Sequence, residues 1–396
     1  MENILDKRDP RELGKELQNA RKTRGFTQED AAKLIGVART TITAIEKGER
    51  RIKADELISL ARAYGRQISD FVRSRPVLEP FQVQFRGPTT RSEEDEAQIR
   101  PCIDKLEELA RNYLELERLM QAPLVRKYPQ EYNISGLKTE QASESVALKE
   151  RIRLDLGDGP ISILRSILEQ DVGLRIFYLP LTPSKFSAMY IYNEQLGGCI
   201  GINSQHPEER RRWSLAHDYG HFLAHRYRAS FYVEDAYQRV PETERFADYF
   251  ALHFLMPTGG ITRRFTDIRR DKQKVTAADL CTMANYYGVS MAAITRRLED
   301  LRLLPTGTWN KIKESGFKVR EAQQQLGIKP IPAQAEKLPM RYQYLAIEAF
   351  DEGKISEGLL AQFLQVDRLE ARRIAEVVRT ENCDLMDASE ESNVSA

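Results

Sequence analysis

Cysteine is scarce in this chain: of 396 residues only Cys102, Cys199, Cys281 and Cys383, none in C-x-x-C spacing. That scatter argues against a disulfide framework and against a cysteine zinc site, and for reduced thiols. Long apolar runs are missing too. No stretch approaches the roughly 18 uncharged residues of a spanning helix, and the opening MENILDKRDPREL has no apolar segment of signal-peptide type. A cytoplasmic location with no membrane partner is therefore expected. Charge of one sign is absent overall, since the formal net charge is +1. What remains, 41% hydrophobic and 30% charged, is long enough for two or three domains with cores of their own.

The near-zero net charge hides an asymmetry. Residues 11–75 hold 15 Lys/Arg and nine Asp/Glu, a balance of +6 that leaves about −5 for the remainder. A basic first domain on a mildly acidic body points one end at a polyanion. Within it, RELGKELQNARKTR spaces Leu13, Leu17 and Ala20 on one helical face and stops at Gly25. Thr27 with Asp30 three residues on reads as a capping box opening a second helix. After Gly36-Val37 comes a third helix with Ile42 and Ile45 inward, then KADELISLARAYG ending at Gly65, and ISDFV as a fifth piece.

Helix, tight glycine turn, helix is a helix-turn-helix. The segments TQEDAAKLIGV, TTITAIEKGER and ELISLARAYG resemble the Xre/lambda-repressor-like DNA-binding domain throughout. Such a domain docks the N-terminal end of its second helix on base edges. Arg39, Thr40 and Thr43 are then expected in the major groove of a double-stranded operator, Arg39 being suited to guanine. Gln28, Lys47, Arg50 and Arg51 are expected on phosphates.

The second chemical motif lies in residues 213–257. His217 and His221 stand four apart in the run WSLAHDYGHFLAHRY, so a helix presents both imidazoles on one face. ETERFADYFALHFLMP places Glu244 on a neighbouring helix as a third ligand. Two histidines and a glutamate with one open position is a catalytic zinc arrangement, so one zinc per chain is expected. The motif H-E-x-x-H has a glutamate after the first histidine, as the proton acceptor of the chemistry. Here Asp218 takes that place, one methylene shorter, which leaves metal binding intact and peptidase activity uncertain. His225 continues the run, but on an unbroken helix it falls about 80° off the face of His217. It reads as a polar neighbour, His253 as a satisfied buried histidine, and His206 as part of a helix N-terminus.

Together with Gly159-Pro160-Ile161, GGCIGIN read as an edge strand, RRRWSLAHDYGHFLAH and ERFADYFALHFLMP, the region of about residues 140–304 resembles the ImmA/IrrE family of zinc metallopeptidases. The resemblance implies a zincin-like site in which His217, His221 and Glu244 are the ligands and Asp218 occupies the general-base position. Asp248, one turn after Glu244, is placed to orient a ligand histidine. Many members of that family cleave or antagonise an Xre-type repressor and release stress genes.

The expected organisation is multidomain and mostly α: a five-helix helix-turn-helix at 8–75, a linker and helical connector at 76–138, an α+β metallopeptidase-like domain at 139–304 with a small antiparallel sheet, a helical unit at 305–380 and a disordered acidic tail at 381–396. A short strand is expected at FQVQF. Within the connector, 92–120 carries Ile99, Ile103, Leu106, Ala110 and Tyr113 at heptad-like spacing, interrupted or started by Pro101. That stripe reads equally as a homodimer seam or as packing on the next domain. The stretch 276–300 resembles a second helix-turn-helix only superficially, with packing as its expected role, though Arg296 and Arg297 stand as a candidate surface contact. The leading functional expectation is a DNA-binding transcriptional regulator, a repressor, whose zinc-site domain senses or processes a ligand or partner. An active zinc metallopeptidase and an antitoxin-like autorepressor that binds a protein partner are the alternatives.

Overall fold

The structure, a computed structural model, describes residues 8–66, 68, 71, 81, 93–233, 241–272, 274–329, 331 and 337–379, with residues 23 and 93–96 described by their backbone alone. The expected strand at FQVQF, most of ISDFV and the tail 381–396 lie outside the described residues. No described helix is long and apolar enough to cross a membrane.

Four short helices open the chain: α1 (Pro10–Thr23), α2 (Gln28–Ile35), α3 (Arg39–Glu46) and α4 (Ala54–Tyr64). Their ends follow from local chemistry. The Thr27 and Asp30 side chains cap each other's backbone N–H groups, and Gly36 ends α2 in the left-handed conformation that glycine adopts without a Cβ clash. Leu13, Leu17, Ile42, Ile45, Leu57 and Leu60 close a core of this unit alone.

The connector α5 (Glu93–Leu119) is one helix that runs through Pro101. Pro101 neither starts nor ends it but stands inside the helix, where it withholds one backbone N–H from the ladder. Its heptad-like stripe is buried within this chain, against the sheet and the C-terminal helices. After an extended segment come α6 (Thr139–Arg153), the short α7 (Leu164–Ile167) continued by a π turn at Leu168–Val172, and the strands β1 (Arg175–Leu179), β2 (Phe186–Asn193) and β3 (Gly197–Asn203). Then follow α8 (Glu208–Ala224), β4 (Ser230–Val233), α9 (Glu242–Leu255), α10 (Thr258–Asp271), α11 (Ala277–Tyr287) and α12 (Met291–Asp300). Last come α13 (Thr308–Glu314), α14 (Val319–Gln325), α15 (Met340–Asp351), α16 (Glu357–Leu364) and a helix over 368–379.

Two expectations about the sheet are corrected. It is mixed, with order β1-β3-β2-β4: β3 pairs parallel to β1 and antiparallel to β2, and β4 pairs antiparallel to β2. The GGCIGIN strand is therefore central. Its glycines reflect close approach on both sides: a Cβ on Gly198 would lie 2.6 Å from Leu174 and one on Gly201 3.0 Å from Met189. Side chains alternate between two cores, as a pleated strand with both faces covered requires. Ile176, Tyr178, Tyr190 and Ile200 face α8 and α9, whereas Phe177, Leu179, Met189 and Ile191 face α5, α15 and α16. The segment 305–380 divides accordingly. Trp309, Ile312 and Phe317 pack on the first core, while Tyr342, Leu345 and Phe363 lie in the second. Tyr344 and Val377 are exposed.

The second core contains one buried ion cluster. Arg175 donates to both carboxylate oxygens of Glu117, at 2.8 and 2.7 Å, and Arg341 approaches the same carboxylate at 3.3 Å. Deleting one partner of a buried pair leaves an uncompensated charge, at a cost of about 3–5 kcal/mol. Glu117→Ala is expected to lower unfolding stability by that amount in urea denaturation. A loss below about 1 kcal/mol would mean that the backbone carbonyl of Leu196 alone satisfies Arg175.

Candidate metal centre and nucleic-acid interface

Helix α8 is buried from Ser214 to Ala224, and α9 crosses it closely. The crossing depends on Gly220, where a Cβ would stand 3.0 Å from Phe250 and 3.2 Å from the Cα of Ala247. Ala247 lies three residues after Glu244, so the glycine that lets α9 approach also sets Glu244 against the two histidines.

The ligand atoms converge. His217 Nε2 lies 3.2 Å from Glu244 Oε2 and 3.1 Å from His221 Nε2, and His221 Nε2 lies 3.4 Å from the other Glu244 oxygen. All three donor atoms fall within 4.8 Å of one another, and this is the one such group among the described residues. Two imidazole nitrogens aimed at each other and at a carboxylate, away from water, form the donor set that a zinc ion satisfies. Asp248 Oδ1 holds His217 Nδ1 at 2.9 Å, which commits Nε2 to the ligand role and fixes the ring.

The electrostatics of the site follow from burial and these pairs. Burial pushes the His217 imidazolium down, but Asp248 and Glu244 outweigh it and bring the group up to about 10. Burial keeps His221 below its ordinary value. Glu244, despite burial, is held well below the carboxylate range by the two histidines. Asp218 is fully buried, neither of its carboxylate oxygens has a partner, and desolvation raises it to about 8.

The other histidines are placed differently. The helix ends at Ala224, so His225 is the first residue beyond it, 5.8 Å between ring centres from His221 and edge-on to Phe246. His206 bonds the Ser184 carbonyl just ahead of α8. His253 is half-satisfied rather than satisfied: Nδ1 accepts from Arg297 at 3.1 Å, whereas Nε2 is buried with no partner. Arg297 is itself buried, also donating to Thr258, and so makes no surface contact. Met291 and Ile294, at the start of α12, are buried as well, in line with the packing role expected for residues 276–300.

In the first domain, Arg39 and Thr40 are exposed at the start of α3, and Lys47 is exposed just after it. Thr43 donates to Gln28 Oε1 at 3.1 Å, and Gln28 donates to Glu46 Oε2 at 2.9 Å. Arg50 is bound bidentately by Glu56, at 2.9 and 2.8 Å, so its guanidinium is spent on holding α4 rather than left open to a phosphate. Glu46 was missed in the sequence. Its buried carboxylate takes Arg21 at 2.6 and 2.9 Å and ties α1, α2 and α3 together. The signal was an acid at an otherwise inward helical position.

Two stretches of the chain match known families. Residues 17–71 match the helix-turn-helix family, and residues 169–299 match the IrrE N-terminal-like domain. Among solved structures, ComR from Streptococcus suis is 11% identical, with a TM-score of 0.16, over 95% of this chain and 96% of that one. Bacillus thuringiensis PlcR, solved in complex with the peptide PapR7 and DNA, is 12% identical, with a TM-score of 0.19, over 96% and 98%. Likeness at that level fixes neither fold nor ligand here. No curated protein matches the chain.

Two predictions follow from the geometry of these sites. Elemental analysis of the purified chain should find about one zinc per chain, His217→Ala should hold none, and Asp248→Asn should bind it roughly 10- to 100-fold more weakly. Zinc retained at full affinity by Asp248→Asn would show that His217 needs no orienting partner. In the first domain, burial alone would raise the Glu46 carboxyl, but hydrogen bonds from Arg21 and Gln28 hold it below the usual carboxylate range. A depressed folded value contributes stability above the unfolded value near 4.5 that is lost as pH falls through the folded one. Glu46→Gln should therefore destabilise the first domain at pH 7 and flatten its acid dependence. An unchanged pH profile in thermal unfolding would assign that dependence elsewhere.

Proposed function

From a chain that joins a helix-turn-helix to an IrrE N-terminal-like domain, we propose a DNA-binding transcriptional regulator of the cytoplasm, acting as a repressor, in which the second domain senses or processes a ligand or protein partner. The observation that carries it is the pairing of an exposed α3 entry, Arg39 and Thr40, with a buried three-ligand group in the same chain. Arg39 and Thr40 read base edges, and Lys47 neutralises phosphate. Thr43 and Gln28, already bonded to each other, brace the reading helix. Two chains bind paired half-sites. The α5 stripe is not their seam, because this chain's own core occupies it.

His217, His221 and Glu244 would hold one zinc, which when bound would supply Lewis-acid polarisation of a carbonyl. Asp248 orients His217 through its hydrogen bond to Nδ1. A second reading, peptide hydrolysis, is favoured by one observation: Asp218 remains a carboxyl beside the ligand His217, and its desolvation raises it into the range where a side chain exchanges a proton at neutral pH. The shorter side chain favours the regulator as the main reading.

The test begins by selecting duplexes from a random pool with the zinc-loaded full chain. The selected duplex should bind at least about 10³-fold more tightly than random sequence, and Arg39→Ala should cost roughly 1–3 kcal/mol of that discrimination. Chelation should change the affinity of the wild type and leave that of His217→Ala unchanged. Enrichment of no duplex would sink the regulator. Cleavage of a partner that rises in Asp218→Glu, with DNA affinity unaltered, would promote the second reading.

A further inference from the structure

Helices α10 to α14 carry a charge imbalance that neither the zinc group nor the helix-turn-helix uses. Residues 258–329 contain 14 Lys/Arg and seven Asp/Glu, a balance of +7 beside the +6 of residues 11–75, which leaves −12 for the rest of the chain. The excess is directed outward. The apolar side of α13 and α14 packs on the core through Trp309, Ile312, Phe317, Val319 and Ala322, while Arg269, Lys274, Arg302, Lys311, Lys313 and Arg320 are exposed.

Five of the seven acids of this layer are spent locally, Asp271 beside Arg270 among them, while Asp300 and Glu314 stay exposed without an ion pair among the described residues. Asp279 takes Lys272 at 2.6 Å and caps Thr276, Glu299 accepts the backbone N–H groups of Gly307 and Trp309 at 3.1 and 2.8 Å, and Asp267 and Glu321 pair with Arg270 and Lys318. Among the described residues no carboxylate forms an ion pair with any of the six exposed cations named above. All six are exposed surface side chains, and none is buried in a way that would build a site for a small anion. A diffuse field of this kind suits a polyanion, whose binding free energy comes from counterion release rather than from shaped contacts.

We propose that the outer face of α10–α14 is a second DNA-binding surface, which contacts the phosphates of duplex flanking the site read by α3. The inference rests on the regulator reading and adds to it. Once α3 is docked, the tethered surface meets flanking DNA at an effective concentration on the order of millimolar, so a few weak phosphate contacts raise affinity substantially. It contributes no sequence preference, because its cations carry no base-reading geometry.

The test uses the full zinc-loaded chain and a random-sequence 40-base-pair duplex, with affinity measured by fluorescence anisotropy across a salt series. The variants are Lys311→Ala/Lys313→Ala/Arg320→Ala and, at the C-terminal end of α10 and just beyond it, Arg269→Ala/Lys274→Ala. Each must keep wild-type zinc content and circular dichroism. Each phosphate contact contributes roughly 0.9 to the slope of log K against log salt, so the triple variant should lose up to about 2.7 and the double up to about 1.8. The loss should be equal on selected and random duplexes. Unchanged slopes in both variants, with wild-type binding intact, would overturn this inference alone. Failure of the wild type to bind any duplex would overturn it together with the regulator reading. Unchanged slopes accompanied by lost binding to poly-glutamate would also overturn it and assign the face to an acidic polypeptide.

Discussion

The close crossing of α8 and α9 at Gly220 is the constraint on which the candidate metal centre depends. Two histidines on one helix are a common local pattern and hold nothing alone. They become a converging group because α9 approaches to within contact of a bare Cα, which brings Glu244 to both imidazoles and Asp248 behind one of them. Neither helix is held there by its own propensity. The mixed sheet beneath α8 supplies a rigid floor, and α6 covers α9, its Ser143 hydroxyl donating to the Phe246 carbonyl.

The sheet also couples this centre to the connector. Its faces belong to different cores, so a shift of α8 on one side acts on strands whose other side packs on α5. Arg175 of β1, bonded to Glu117 of α5, makes that contact polar as well as apolar. The segment after α5 continues across the back of the site helix: Tyr132 donates its backbone N–H to the Leu223 carbonyl, and Arg226 donates to Pro129. The site helix and the connector thus pack on opposite faces of one sheet.

Charge divides the molecule differently from its cores. The strongest positive balance lies in two stretches separated by nearly two hundred residues, one of them inside the region that a whole-chain count reads as mildly acidic. Averaging over the remainder conceals α10–α14, because the acids that offset it sit elsewhere in the chain. Buried arginines sharpen the point. Arg151 and Arg212 spend their guanidinium groups on backbone carbonyls, and Arg297 spends its own on His253 and Thr258, so only the exposed cations bear on a partner.

Local chemistry in the sequence was enough to determine the helix-turn-helix and the helical spacing of His217 and His221. Capping boxes, glycine stops and the inward aliphatics are interactions among residues a few positions apart, and the chain writes them in order. Tertiary structure alone decided the rest. A run such as GGCIGIN reads as a strand, but its central place in a mixed sheet depends on which elements cover its two faces. The stripe on α5 reads equally as a dimer seam or an internal face, and only burial against β1 and α15 distinguishes them. Glu46 and Gly220 looked ordinary in sequence and Arg297 looked like a surface contact, and their roles come from partners 25 or more residues away: Arg21, Phe250 and His253. Spacing along a chain reports a residue's own helix face, whereas burial and pairing are properties of what folds against it.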